Sequence, residues 1–247
     1  MNAQYEYSLE EATDMAGKFV GIGVGPGDPD LLTVKAIKAI EAADTLVCPE
    51  ARNGKGSFAF EIAEQYIPKD TNILTLEFPM VHDHDVMMAA WKENAKIISE
   101  RVKKGENVAF LTLGDPTVYS TYMYLLPLID QDIKVETIPG ITSFCAVAAN
   151  QNLPLALWEE TFGIIPLKHG CESAEKALDH YDNVIIMKPS HDSEKLAEIL
   201  ESKGLQDKFV MISKCSTDIQ QVTTDIQTLK DGKVPYLSTM IVKRKGF

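Results

Sequence analysis

Cysteine is scarce and scattered in this chain. Its four thiols, Cys48, Cys145, Cys171 and Cys215, lie far apart and form no C-x-x-C pair. Neither a zinc site nor a disulfide framework is therefore indicated, and reduced thiols fit a cytoplasmic enzyme. Basic charge is also short, with 24 Lys and Arg against 36 Asp and Glu, a formal net charge of -12. That balance argues against nucleic acid and against an anionic membrane as partners, and an anionic ligand would need a local basic patch. No apolar run approaches the length of a membrane span. The residues before Lys18 are acidic and polar and lack the basic and apolar regions of a secretory leader, so residues 1–16 are read as an N-terminal extension. Internal repeats and low-complexity tracts are absent as well.

What is present is enough apolar residue for a sizeable core: 45% of 247 residues are hydrophobic. The segment from Phe19 to Val24 alternates glycine with apolar residues and runs into Pro26-Gly27-Asp28-Pro29, which predicts a buried strand ending in a tight loop. Helical spacing follows from Thr33 to Ala43, then a strand from Thr45 to Cys48, completing a βαβ unit. The same logic predicts a helix over 58–66, a strand over 73–78, a long helix over 85–104 stopped by Gly105, a strand over 108–113, a helix over 119–129 and a strand over 134–138. Beyond a small-residue helix over 144–151, β-like runs at 160–165, 183–188, 209–213 and 236–242 alternate with helices and less regular connections. The expected fold is α/β in two domains. Residues 17–143 form an N-terminal, mostly parallel sheet with helices on both faces, and residues 144–247 form a C-terminal mixed sheet.

Ligands of open α/β sheets bind beyond the carboxyl ends of the strands. Three glycine-bearing loops fall there: Gly23-Val24-Gly25-Pro26-Gly27-Asp28-Pro29, Gly114-Asp115-Pro116, and Pro139-Gly140-Ile141-Thr142-Ser143. The first is not a dinucleotide fingerprint, because its glycines recur every second residue and leave no third glycine where helix packing needs one. It is not a Walker loop either, since Pro26 removes an amide donor and no Gly-Lys-Ser/Thr follows. Two uses remain open for it, as a sharp turn into a helix or as a direct ligand contact. Gly114-Asp115-Pro116 likewise reads either as a capped helix start or as a site carboxylate. Arg52 and Lys55, beyond the second strand, and Lys188, at the end of an apolar run, are the candidate cations for an anionic substrate. The His82-Asp83-His84-Asp85 run has the composition of a metal site, but alternating loop residues rarely converge on one ion. A helix cap is the simpler expectation.

The order and spacing of GVGPGDPDLLTVKAIKAIEAAD (23–44), LTLGDPTVYSTYMYL (111–125) and IPGITSFCAVAA (138–149) resemble the tetrapyrrole methylases, the class III S-adenosylmethionine-dependent methyltransferases. The resemblance covers the chain from about Gly17 to its end. Phe78-Pro79-Met80, Ala89-Ala90-Trp91, VIIMKP (184–189) and PYLSTMIV (235–242) are most similar to the branch that methylates C20 of precorrin-2 or of cobalt-factor II. Sister corrin-pathway or uroporphyrinogen methylases and the diphthine synthase branch are the neighbouring assignments. From outside the family, a nucleotide-dependent oxidoreductase and a non-catalytic tetrapyrrole carrier stand as alternatives.

The resemblance implies an active site in a trough between the domains and S-adenosylmethionine as methyl donor, with no protein-bound metal. It also implies a tetrapyrrole substrate and a homodimer. Carried over by position, the cofactor contacts are Pro26, Leu113, Gly114, Asp115, Val118, Thr142, Ser143, Met187 and Lys214. The implied catalytic set is Asp115, Lys188 and Tyr236, with Asp115 orienting cofactor or substrate, Lys188 stabilising developing negative charge and Tyr236 positioning or relaying a proton. Arg52, Lys55 and Lys188 are the implied substrate ligands. One position departs from the pattern. Related uroporphyrinogen methylases carry an acidic residue at the end of the second strand, where this chain has approximately Pro49, with Glu50 and Arg52 beside it, so the proton acceptor stays open.

Overall fold

Five of the apolar runs become strands of one sheet: β1 (Lys18–Gly23), β2 (Thr45–Pro49), β3 (Asn72–Leu76), β4 (Val108–Thr112) and β5 (Lys134–Ile138). The computed structural model describes residues 17–49, 56–79 and 83–247. The strand order is β3-β2-β4-β1-β5, with parallel pairing of β1 to β5 and of β2 to both β3 and β4. All five residues of β4 are buried, as expected of a central strand covered on both faces, which is why its sequence is continuously apolar instead of alternating. Phe19, Val47 and Phe110 pack on one face against Ile98 and Val102 of α3 (His84–Lys103) and against Tyr122 and Leu125 of α4 (Thr121–Leu125).

The strand order also determines where a site can form. From β1 the chain moves through α1 (Val34–Glu41) to β2 and through α2 (Phe58–Ala63) to β3, in one direction across the sheet. It then returns through α3 to β4 and passes through α4 to β5 in the other. With right-handed crossovers, the first two helices cover one face and the last two the other. The connections after the adjacent strands β1 and β4 therefore leave for opposite faces of the sheet, which marks a topological switch point. The first two glycine loops follow these two strands, and the third follows β5, on the other side of β1.

Two compact units make up the chain. The first holds the parallel sheet and comprises residues 17–22, 34–112 and 119–139; the second comprises 23–33, 113–118 and 140–247. The second unit thus contains the first two glycine loops and the third from Gly140 onward. Its sheet has the order β6-β7-β10-β8-β9, built from β6 (Phe162–Pro166), β7 (Asn183–Met187), β8 (Phe209–Ser213), β9 (Gln221–Thr223) and β10 (Ser238–Lys243). β6 and β7 are parallel, whereas β10 is antiparallel to β7 and β8, and β9 to β8. Alternate strand residues divide between two cores. Val184, Ile186, Phe209, Met211, Met240 and Val242 meet α6 (Glu172–His180) and α7 (Ser193–Ser202), while Ile185, Val210, Ile212 and Ile241 meet α5 (Ser143–Asn150). That two-residue alternation is the pleat of a sheet sandwiched between helices. A short α8 (Gln227–Lys230) buries Leu229 against the first of these cores.

Several boundaries differ from the sequence expectation for local reasons. The helix expected over 119–129 is a single α-turn, α4, followed by one 3-10 turn, Leu126–Leu128. Tyr119 takes a left-handed backbone (φ 50°), Ser120 caps α4 by accepting the Tyr122 amide at 3.2 Å, and Pro127 supplies no amide to prolong the helix. The strand expected from Tyr236 begins at Ser238, which leaves Tyr236 outside it and 66% exposed. At 82–85, Asp83 caps α3 by accepting the amides of Asp85 and Val86 at 3.0 and 3.2 Å. No group of three metal-ligating side chains occurs among the described residues; His82 lies outside them. No helix among the described residues is long and apolar enough to cross a membrane.

Candidate active site

The three loops are tied to one another through backbone. Gly25 and Gly114 form an isolated antiparallel bridge, with the Gly114 amide donating to the Gly25 carbonyl at 2.8 Å and the Gly25 amide to the Gly114 carbonyl at 3.3 Å. Gly140 fits beside them only because it lacks a side chain: a Cβ there would stand 2.1 Å from the Gly114 carbonyl oxygen and 2.8 Å from the Gly23 carbonyl. In this setting glycine serves close packing of main chain on main chain, and the first loop is a structural wall.

Asp115 joins the second loop to the third. Its Oδ1 accepts the Thr117 amide at 2.8 Å and the Thr117 hydroxyl, and its Oδ2 accepts the Gly140 amide at 3.0 Å. The residue is 9% exposed, so the carboxylate is a short-range hub held by three donors. Immediately beyond Gly140, Thr142 is the N-cap residue of α5, but its side chain makes no capping bond. Its Oγ1 is buried and has no hydrogen-bond partner. Opposite this loop Gly114, at φ 70°, faces open space: a Cβ there would meet only the Ile141 carbonyl oxygen, at 3.9 Å.

From α5 the connections run to the sheet of the second unit. The Thr239 hydroxyl donates to Ser143 Oγ at 3.1 Å, and Thr239 pairs with Met187 across β10 and β7. Met187 packs with Val118 and Ile141 against the core beneath α5. At the end of β8, the Lys214 amide donates to the Leu237 carbonyl at 2.7 Å, and the Ser213 and Ser238 hydroxyls are 2.7 Å apart. Lys188, Lys214 and Ser216 all adopt left-handed backbone, with φ of 56°, 50° and 64°. For a non-glycine residue that conformation costs about 1–3 kcal/mol and concentrates at functional sites. Burial raises the Cys215 thiol above its ordinary value, which excludes it as a thiolate nucleophile at neutral pH.

Two features of this cluster fit a bound small molecule. The Thr142 hydroxyl is a buried polar group waiting for a partner, and Gly114 leaves room where any other residue would place a Cβ.

Against known proteins, the model for "Tetrapyrrole (Corrin/Porphyrin) Methylases" matches residues 18–230. The chain belongs to the tetrapyrrole methylases. It is 32% identical to the cobalt-precorrin-2 C(20)-methyltransferase of Salmonella typhimurium, covering 94% of this chain and 98% of that protein. Its identity to the probable cobalt-precorrin-2 C(20)-methyltransferase of Methanocaldococcus jannaschii is 36%, over 92% of this chain and 96% of the relative. A precorrin-2 C(20)-methyltransferase of Sinorhizobium is 29% identical, with coverage of 92% and 95%. Among solved structures, a cobalt precorrin-4 methyltransferase superposes with a TM-score of 0.71 at 21% identity, covering 92% of this chain and 94% of that one. The uroporphyrin-III C-methyl transferase of Thermus thermophilus, solved with S-adenosyl homocysteine, superposes with a TM-score of 0.67 at 18% identity over 92% of each chain. These two likenesses concern the fold.

Of the residues expected at a tetrapyrrole methylase site, Pro26, Leu113, Gly114, Asp115, Val118, Thr142, Ser143, Met187 and Lys214 all fall in the second unit. Gly114, Asp115, Val118, Ser143 and Met187 take part in the contacts above, and Thr142 stands between them as the N-cap residue of α5. Lys188 directly follows Met187, and Tyr236 lies two residues before Ser238, so both stand at the same end of that sheet as Lys214. No hydrogen bond or ion pair joins Asp115, Lys188 and Tyr236 to one another. Arg52 and Lys55 lie outside the described residues. The sequence reading singled out the segments that hold Gly140 and Thr239 but gave neither residue a role of its own. Their roles arise from pairing with Asp115 and Ser143, residues 25 and 96 positions away, which no local pattern discloses.

Proposed function

We propose that this chain is an S-adenosylmethionine-dependent C-methyltransferase of corrin ring biosynthesis, methylating C20 of cobalt-precorrin-2 (cobalt-factor II). The observation that carries this reading is near-full-length identity of 32% and 36% to proteins named for that reaction on the cobalt complex. The loop cluster supports it, because the orphaned Thr142 hydroxyl and the open face of Gly114 suit a cofactor held against main chain. When bound, S-adenosylmethionine supplies a methyl already activated on a sulfonium, whose leaving group is a neutral thioether.

The protein's task is then to align and to manage charge. Gly114 and Thr142, with Pro26, Leu113, Val118, Ser143, Met187 and the backbone at Lys214, hold the donor. Asp115 orients it by fixing the second loop on the third. Proximity and alignment of carbon nucleophile and methyl, about 3–3.5 Å apart, supply most of the acceleration. Lys188 stabilises negative charge building on the macrocycle, and Tyr236, exposed at the sheet end, relays the proton that is lost. Arg52, Lys55 and Lys188 meet substrate carboxylates. The enzyme acts as a cytoplasmic homodimer.

The test is an anaerobic incubation with S-adenosylmethionine carrying a 13C methyl, offering the cobalt-bound and the metal-free macrocycle side by side. A product heavier by one methyl, with the label at C20 and preferential turnover of the cobalt form, is expected. Binding without any mass gain would make the protein a carrier, and label at another carbon would assign it to a sister methylase.

A further inference from the structure

Lys188 and Lys214 end two strands of the second unit at the same end of its sheet. Met187, the last residue of β7, pairs with Thr239, and Ser213, the last of β8, pairs with Ser238, so the two lysines flank the start of β10 on either side. Neighbouring strands are about 4.8 Å apart, which separates the two backbones by roughly 10 Å. Main-chain bonds pin both. The Lys188 carbonyl accepts the His191 amide at 3.1 Å, the Lys214 amide donates to Leu237 at 2.7 Å, and the Lys214 carbonyl accepts the Thr217 hydroxyl at 2.8 Å.

Their ammonium groups differ from those of every other lysine withdrawn from solvent among the described residues. Lys18 pairs with Glu136 at 3.0 Å, Lys203 with Asp179 at 2.6 Å, and Lys243 with Glu160 at 3.6 Å as well as the Pro154 carbonyl at 3.0 Å. Lys208 donates to the Arg244 carbonyl at 3.1 Å. Lys188 and Lys214 are half-buried as residues, yet among the described residues their ammonium groups have neither a carboxylate nor a hydrogen-bond acceptor. A lysine whose stem is packed while its ammonium has no counter-charge is uncommon in a chain with 36 acidic residues, which has had ample means to supply one. Two such lysines, their backbones fixed on either side of one strand, leave two cationic groups available to an anion brought from outside.

We propose that Lys188 and Lys214 form a two-pronged receptor for peripheral carboxylates of the tetrapyrrole substrate, spanning the start of β10. This rests on the methyltransferase reading, and it assigns the Lys214 side chain to the substrate while leaving its backbone to the cofactor. The alternative source of a carboxylate is the cofactor's amino-acid tail. That tail carries one carboxylate and one ammonium, so it neutralises one lysine and sets a like charge near the other. A macrocycle with several carboxylates satisfies both.

The experiment compares the wild type with K188Q, K214Q, K214R and the K188Q/K214Q pair. Binding of uroporphyrin, a polycarboxylic porphyrin, is followed by fluorescence over a range of salt concentrations, and adenosylhomocysteine binding by calorimetry. K214Q is expected to weaken porphyrin binding about tenfold and flatten its salt dependence, with K214R restoring most of the affinity. Adenosylhomocysteine affinity should stay within about twofold, showing that the fold and the cofactor site are intact. In turnover, K214Q should raise the macrocycle KM far more than it lowers kcat. Unchanged porphyrin affinity in K214Q overturns the receptor, as does an equal loss of adenosylhomocysteine binding. Absence of methyl transfer by the wild type would sink the functional reading instead, because the porphyrin measurement does not depend on turnover.

Discussion

Asp115 accepts the Gly140 amide through Oδ2 at 3.0 Å, so one buried carboxylate holds the main chain of the third glycine loop against the second. Its other oxygen is occupied by Thr117. An asparagine has a single acceptor oxygen and would turn its amide toward one of these donors. D115N should therefore destabilise the protein by about 1–3 kcal/mol and weaken adenosylhomocysteine binding in the same variant. Denaturant unfolding and calorimetry measure the two effects. Full stability with a lost kcat would instead mark Asp115 as a group acting on the reaction itself.

Thr142 gives the cleaner probe of the donor site. Its buried hydroxyl has no partner, so T142V removes an unsatisfied polar atom at nearly constant volume. The free protein should be as stable as wild type or up to about 1 kcal/mol more stable, while adenosylhomocysteine affinity falls about tenfold. T142S should retain the affinity. A T142V variant that binds adenosylhomocysteine normally would remove Thr142 from the site.

Two glycines of this cluster should respond in opposite ways. G140A forces a Cβ to 2.1 Å from the Gly114 carbonyl oxygen, backbone that cannot give way cheaply, and should cost at least about 3 kcal/mol of stability. G114A meets open space, with the nearest atom at 3.9 Å, and pays chiefly for its positive φ, about 1 kcal/mol. Its larger effect should be on adenosylhomocysteine binding, because the methyl occupies the room left for a ligand. Thermal melting with and without adenosylhomocysteine distinguishes the two variants.

How far the fold could be read in advance follows from these contacts. β4, β7 and β8 were legible because both faces of each are covered, so their sequences are uninterrupted apolar runs. β9, Gln221–Thr223, was not, since it is a three-residue edge strand without a buried position. Asp115 was visible as a motif residue, but a capped turn and a site carboxylate have the same local sequence. The deciding bond goes to Gly140, whose partner no spacing rule predicts. Lys214 was visible as a cofactor contact implied by the family resemblance; the lack of a counter-ion around its ammonium among the described residues is a property of the folded neighbourhood. Tyr236 was expected within a strand, yet the Ser238 hydroxyl accepts nothing from it and donates to the Pro235 carbonyl at 2.6 Å, bending the chain just before β10 begins.

The thiols offer a test of burial that is independent of the ligand. Cys145 is exposed, whereas Cys48, Cys171 and Cys215 are buried. Burial pushes the Cys48 thiol up to about 12. Burial, with the charges of Asp192 and Glu172 adding to it, raises Cys171 to about 11. These groups stay protonated in the folded state at pH values where an unfolded thiol, near 8.5, already ionises. The sign follows from linkage: the raised folded values leave stability intact below about pH 8.5 and erode it as pH climbs toward 11 and 12, because the unfolded chain releases protons first. A chromogenic disulfide reagent at pH 8 should therefore modify one cysteine per chain rapidly and the other three only at the rate of unfolding. C145S should abolish the fast phase. C48A should flatten the alkaline fall in stability, with some of its neutral-pH stability lost to the cavity. A fast phase of more than one thiol in the native protein would contradict the burial of Cys48, Cys171 and Cys215.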